Sequence, residues 1–354
     1  MMYGKLKTLY QVTEFPIFQN RMYSTTAEAR ACPKGDLAIV EDQTTGLVYN
    51  AAFQPSRLDY DSNYQNEQAG SPTFQRHLEH VVLIVDESLG RERLIEVGCG
   101  KGFFLELLVR KGFDVRGFDP AYEGSSSRVT KDYFSGDAGI RADGLILRHV
   151  LEHIENPVAF LEALKAANGG QGKIYIEVPS FDWICQRRAW FDIFYEHVNY
   201  FRLSDFRRIF SRIEACGSIF GDQYLYVVAD LGSMRTPVYD PNDAVTFPSD
   251  FVSVPFSAHD NSSRLPVCVW GGASKGVIFS LMQERAGFPV STVVDINPAK
   301  QGKYLPGTGL RVESPAQAMK TLPNRSTILV MNSNYLEEIK EMSNNRYRYI
   351  EIDQ

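Results

Sequence analysis

One seven-residue stretch constrains this chain more than any other. Glu96-Val97-Gly98-Cys99-Gly100-Lys101-Gly102 closes the short apolar run Leu94–Val97. Phe104, Leu107 and Leu108 then follow at helical spacing. A strand must therefore end in a glycine turn that runs straight into a helix. Glycines at such a junction let the backbone turn tightly and let a ligand approach it. A second apolar run, Asp114–Phe118, leads to Asp119, 17 residues beyond Gly102. A carboxylate at the end of the second strand of such a unit can accept hydrogen bonds from ribose hydroxyls. The alternation continues. Gly144–Leu147 reads as a third strand, Asn156-Pro157 opens a helix reaching Gly169, and Lys173–Val178 is a fourth strand stopped by Pro179. Ser204 is expected to cap a helix through Phe206, Ile209 and Phe210, and Gln223–Ala229 alternates like a strand. The pattern implies an α/β fold with a doubly wound, largely parallel sheet over residues 90–230.

The glycine spacing is G-x-G-x-G, not the G-x-G-x-x-G of dinucleotide folds. Glu96 at the mouth of the first strand would repel a pyrophosphate and suits a cationic ligand. S-adenosylmethionine has the matching chemistry: an adenosine, an α-amino group, a sulfonium and no phosphate. The expected cofactor site is Glu96, Gly98, Cys99, Gly100, Gly102, Asp119 and Pro120.

Two segments flank this core. Residues 1–89 form an N-terminal lobe whose last helix starts at Ser71-Pro72, an N-cap followed by a first-turn proline. Residues 231–266 carry five of the 17 prolines and read as a connection. Residues 267–354 restart the strand–helix pattern as a smaller α/β unit, with strands at Val267–Trp270, Val290–Val294 and Thr327–Met331. Ser314-Pro315-Ala316-Gln317 is a capping pattern, and Asn334 with Glu337 is expected to cap the last helix. Gly271–Gly276 opens a helix, a terminus that favours anions, and Lys275 beside it suits a diphosphate. Lys300 and Lys303 are weaker phosphate contacts, expected to be solvated.

Composition narrows the partners. A net charge of −6 with scattered basic residues argues against nucleic acid. No apolar run approaches the roughly 18–20 residues of a membrane span, and Met1–Gln11 has no apolar stretch of a secretory signal. The five cysteines stand singly, without a C-x-x-C, which points to reduced thiols and a cytoplasmic protein.

The glycine segment resembles motif I of class I S-adenosylmethionine-dependent methyltransferases. Leu147–Ile154, Tyr175–Pro179, Phe194–Phe201, Trp270–Gly276, Val294–Gly302 and Leu305–Thr308 are similar to the C-methyltransferases that act on nucleotide-linked deoxysugars. The resemblance implies a Rossmann-like methyltransferase core, a small N-terminal lobe with a lid, and a Rossmann-like C-terminal domain that binds substrate. It implies a nucleotide-linked keto-sugar, methylated on carbon through an enolate. His197 becomes the base, Glu196 its orienting partner or a hydroxyl ligand, and His153 a contact to the sugar carbonyl or enolate. Tyr195 joins this catalytic set. Arg148 and His149 would line the cofactor, Tyr60 and Tyr64 would close over cofactor and substrate, and Glu152 would be structural. Members of this family usually begin with a zinc module of paired cysteines. Asp42-Gln43-Thr44-Thr45-Gly46 stands where C-x-x-C-G is expected, so no metal is anticipated. Phe194 stands where a tyrosine is usual. Open alternatives are O- or N-methylation of another small molecule, a nicotinamide-dependent oxidoreductase built on Gly271 and Asp295, and a non-catalytic binding protein.

Overall fold

A computed structural model of the protein describes residues 5–58, 70–252 and 266–354. The chain opens with β1 (Leu6–Pro16), α1 (Thr26–Arg30), β2 (Lys34–Asp42) and β3 (Val48–Asn50). These strands form an antiparallel sheet. Next come α2 (Pro72–Leu89), β4 (Leu94–Val97), α3 (Phe103–Arg110), β5 (Val115–Phe118), β6 (Val129–Thr130), β7 (Gly144–Arg148), α4 (Pro157–Ala167) and β8 (Lys173–Pro179). They are followed by α5 (Phe181–Gln186), β9 (Asn199–Tyr200), α6 (Leu203–Ile209), β10 (Ile213–Ile219) and β11 (Tyr224–Asp230). β9 leaves the core and pairs with β3 as the fourth strand of the first sheet.

The central sheet runs β6-β5-β4-β7-β8-β11-β10, parallel except for β11. β4 is buried along its whole length, as a central parallel strand covered on both faces must be. Apolar side chains of α2 and α3 cover one face; those of α4 and α6 cover the other. Because the crossovers from β4 go to β5 on one side and β7 on the other, a crevice opens at the carboxyl end of β4.

The last unit holds β12 (Val267–Trp270), α7 (Ser274–Arg285), β13 (Thr292–Val294), β14 (Val312–Glu313), α8 (Pro315–Thr321), β15 (Thr327–Val330), α9 (Leu336–Met342) and β16 (Arg348–Glu351). Its sheet is parallel throughout, in the order β14-β13-β12-β15-β16, with a second crevice at the end of β12. One apolar cluster joins this unit to the N-terminal lobe: Phe15, Leu37, Trp190, Phe279 and Val293 belong to the same buried group. Trp190 and Phe279 stack at 5.5 Å.

The expected caps at Ser71, Asn156 and Ser314 are in place, each accepting from the backbone N–H three residues on. Two others differ. α6 starts from Arg202, whose backbone N–H donates to Asp205, so Ser204 lies inside the first turn. Tyr335 precedes α9, while the Asn334 amide reaches back to the Phe220 carbonyl. Among the described residues of 231–266 the helical pieces are two short 3-10 turns, and Met234 bridges Phe210.

The turn between β2 and β3, where Asp42–Gly46 replaces the paired-cysteine pattern, is held by side-chain hydrogen bonds. The Asp42 carboxylate accepts from Thr44 N–H and Thr45 Oγ1 at 2.7 and 3.1 Å. Arg202 donates to the Gly46 carbonyl, and the Arg208 guanidinium lies under Gly46. Both arginines meet the buried Asp205. All five cysteines are free thiols. No described helix is long and apolar enough to cross a membrane.

Candidate active site

The glycine turn takes the shape its sequence demands. Gly98 has φ +72°, and a Cβ there would lie 2.5 Å from the Val150 side chain, so only glycine fits. Asp119, at the end of β5, clamps this turn. Its Oδ2 accepts from Gly100 N–H and its Oδ1 from Ala121 N–H, both at 2.8 Å. Each oxygen keeps further acceptor capacity. Gly100 and Pro120 are exposed there, whereas Cys99 and Gly102 are buried in the turn. Burial pushes the Cys99 thiol up to about 12, which makes it inert packing.

Glu96 lies at the base of the crevice, fully enclosed. Burial raises its carboxyl to about 8, against the pull of Arg148 and with the help of Asp119. Its Oε2 has no hydrogen-bond partner. Arg148 stands between two acids. Its guanidinium donates to Glu177 at 2.8 Å and covers the Phe104 ring at 4.5 Å. This engagement places Arg148 beneath the turn, as part of its foundation.

Glu177, in the middle of β8, gathers the network. It accepts from Arg148, His77, His149 and Tyr175 at 2.8–3.2 Å. Burial alone would raise its carboxyl, but Arg148, His149 and His77 hold it well below the usual range. His149 is in the left-handed region at φ +51°, a strained conformation. Burial works against its imidazolium, yet hydrogen bonds to Glu152 and Glu177 raise it to about 9. Both its ring nitrogens are thereby occupied.

Beyond His149 the chain lines a cavity of about 570 Å³ between the central sheet and the C-terminal crevice. His149, Glu152, His153, Phe194 and His197 form its core-side wall; Gly271, Lys275, Asp295 and Lys300 form the other. Gly98, Gly100 and Asp119 do not line it. The segment that begins at Arg148, which acts on Glu96, reaches the cavity with His149, Glu152 and His153.

Within the cavity, His153 and His197 face each other edge to ring at 4.9 Å. His153 Nδ1 donates to the Glu196 backbone carbonyl at 2.8 Å, which fixes the ring and turns Nε2 outward. Phe194 packs against the His197 ring at 4.0 Å. Burial, then the neighbouring His153, His149 and Lys275, hold His197 well below the ordinary histidine value. The Glu196 carboxylate points elsewhere, accepting from Gln19 N–H at 2.8 Å. It therefore orients His153 through its backbone and ties down the N-terminal lobe. Tyr195 is a core residue: its ring packs on Gly35 and its hydroxyl accepts from Gln54 N–H. It does not line the cavity.

Glu152, expected to be structural, is brought to the cavity wall beside the two histidines, a placement that sequence reasoning missed. It is buried against His153 and His197, and its Oε2 has no hydrogen-bond partner. The Glu-His dipeptide at 152–153 was the available signal. Lys275 meets Asp192 at 3.2 Å and covers Trp183 at 4.8 Å. Lys300 is buried, not solvated, donating to Asn20 and to the Gly272 carbonyl. Tyr60 and Tyr64 lie outside the described residues.

The second crevice repeats the clamp. Asp295 Oδ2 accepts from Gly272 N–H at 2.9 Å and Oδ1 from Asn297 N–H at 2.8 Å. A Cβ on Gly276 would collide with the Gly271 carbonyl, so α7 packs directly on the turn.

Residues 71–214 match the methyltransferase domain family, and residues 255–349 match the C-methyltransferase C-terminal domain. The ubiquinone biosynthesis O-methyltransferase of Cereibacter sphaeroides is 33% identical over 87 residues, covering 21% of this chain and 35% of that one. The chain thus spans about a third of that relative's length. Among solved structures, the magnesium protoporphyrin IX methyltransferase of Synechocystis with bound S-adenosylmethionine is 18% identical, covers 45% of this chain and 79% of its own, and has a TM-score of 0.33. A SAM-dependent methyltransferase from Archaeoglobus fulgidus is 16% identical, with 45% and 100% coverage and a TM-score of 0.34.

Proposed function

We propose that this chain, whose core is a class I S-adenosylmethionine-dependent methyltransferase domain, methylates a carbon atom next to a carbonyl in a small molecule of the nucleotide-linked keto-sugar class. The observation that carries the reading is that one loop serves both places. Arg148 acts on Glu96 of the glycine crevice, and His149, Glu152 and His153, a few residues on, line a cavity that also holds His197. The family match of residues 255–349 supports carbon as the acceptor.

On this reading Asp119 holds the ribose and Glu96 faces the cationic end of the cofactor, which supplies the methyl group. His197 takes the proton α to the carbonyl, and the enolate carbon then attacks the sulfonium methyl in line. His153, fixed by the Glu196 carbonyl, is the proposed contact to the enolate oxygen, which it stabilises when Nε2 also carries a proton and donates it. Lys275 is the proposed diphosphate contact, exchanging part of its Asp192 pairing for phosphate. Tyr60 and Tyr64 are the proposed lid.

Mass spectrometry of a panel of keto-sugar nucleotides, incubated with the protein and S-adenosylmethionine, tests the reading. A gain of one methyl on a sugar carbon is expected; no product from any member would sink it. His197→Asn should abolish exchange of the substrate's α-proton into deuterated water, and unimpaired exchange would exclude His197 as the base. O-methylation is the second reading, favoured by the Cereibacter relative, and would proceed without that exchange.

A further inference from the structure

We propose that Glu152, His153 and His197 bind one divalent transition-metal ion of the zinc class, and that the bound ion prevents His197 from accepting a proton. Among the described residues these three form the one group of His, Cys, Asp and Glu side chains spaced to hold an ion. Their ligand atoms lie within 4.8 Å of one another.

The argument is one of converging lone pairs. His153 uses Nδ1–H on the Glu196 carbonyl, so its neutral ring presents Nε2 as an acceptor. Glu152 places Oε1 on His149, leaving Oε2 buried and without a hydrogen-bond partner. The neutral His197 ring brings one further lone pair. Acceptors gathered in a buried space repel one another unless a cation lies between them. The outer contacts are those that metal sites use: a backbone carbonyl on the far nitrogen of one histidine, and a hydrogen bond on the second carboxylate oxygen. Two imidazoles and one carboxylate suit zinc, cobalt or iron(II), not magnesium or calcium, and leave coordination positions open to the cavity.

The lone pair that a metal would hold on His197 is the one that would take the α-proton, so ion and base activity exclude each other. That consequence rests on the functional reading above; binding of the ion does not.

Cobalt(II) chloride titrated into the full-length, chelator-treated protein is the direct test. A visible d–d band saturating at one ion per chain is expected. Glu152→Gln and His153→Asn should each weaken it at least about tenfold, since even outer-sphere losses at metal sites cost that much. His80→Asn, at an exposed histidine outside the cavity, should leave it unchanged. No band, or a band indifferent to Glu152 and His153, overturns the proposal. Anomalous scattering from zinc-soaked wild-type crystals locates the ion independently, should a variant fail to fold. Zinc should suppress methyl transfer and a chelator restore it; activation by zinc would overturn the exclusion of the base. A cobalt site in a protein whose metal-free form transfers no methyl to any keto-sugar would sink the functional reading and leave the metal site standing.

Discussion

Two acids carry the proposed cofactor contacts, and their surroundings set them apart. Asp119 is partly exposed and engaged by two backbone N–H groups, so it serves as a rigid acceptor. Asp119→Ala removes that acceptor. It should weaken S-adenosylmethionine binding by about 1.5–3 kcal/mol, the usual worth of a hydrogen bond to a charged group. Isothermal calorimetry would show roughly a ten- to hundredfold loss. Glu96 is enclosed and raised to about 8. A raised carboxyl contributes stability below its unfolded value that is lost as pH rises through the folded one. The thermal-melt difference between Glu96→Gln and wild type should therefore move in favour of the variant as pH climbs from 4.5 to about 8. A cation arriving beside Glu96 would ionise it. Cofactor binding at neutral pH should then release a proton, visible as a buffer-dependent heat.

At the scale of elements, β7 and β8 do the joining. Arg148 at the end of β7 and Glu177 within β8 form a buried pair that His77, His149 and Tyr175 complete. Removing one member leaves the others charged and desolvated. Glu177→Leu should cost about 3–5 kcal/mol in urea unfolding, and adding Arg148→Met should recover part of it. The same network marks the limit of what the sequence discloses. Strands with continuous apolar runs, such as Leu94–Val97, and helices with local caps, such as Asn156, are set by neighbours a few residues away. β10 escaped notice because Ile213–Ile219 is an edge strand, half-exposed and without alternation. The role of Glu177 escaped because its partner His77 is 100 residues distant. Ser204 misled because the buried Asp205, held by Arg202 and Arg208, competes better for the start of α6. Glu196 and Tyr195 sit beside His197 in the chain but point to other layers, since side chains near a turn diverge.

For the whole molecule, the shared apolar cluster makes the first and last units depend on each other. Phe279 lies between Trp190 and Phe191, with rings at 5.5 and 6.1 Å, in a group that includes Phe15 and Leu37 of the N-terminal sheet. Phe279→Ala should cost about 3–5 kcal/mol. Hydrogen exchange should rise in β1 and β2 as well as in α7, because all three border the same void.

The clamp formed by an acid and a glycine turn occurs twice, with nearly equal distances at Asp119 and Asp295. The second copy is not open in the same way. The Lys300 ammonium is buried beside Asp295 at 3.9 Å and donates to the Gly272 carbonyl of that turn. This bears on stoichiometry. A fold that writes the adenosine-binding pattern in duplicate should nonetheless saturate at a single S-adenosylmethionine per chain, and the calorimetric count is where the lysine declares itself.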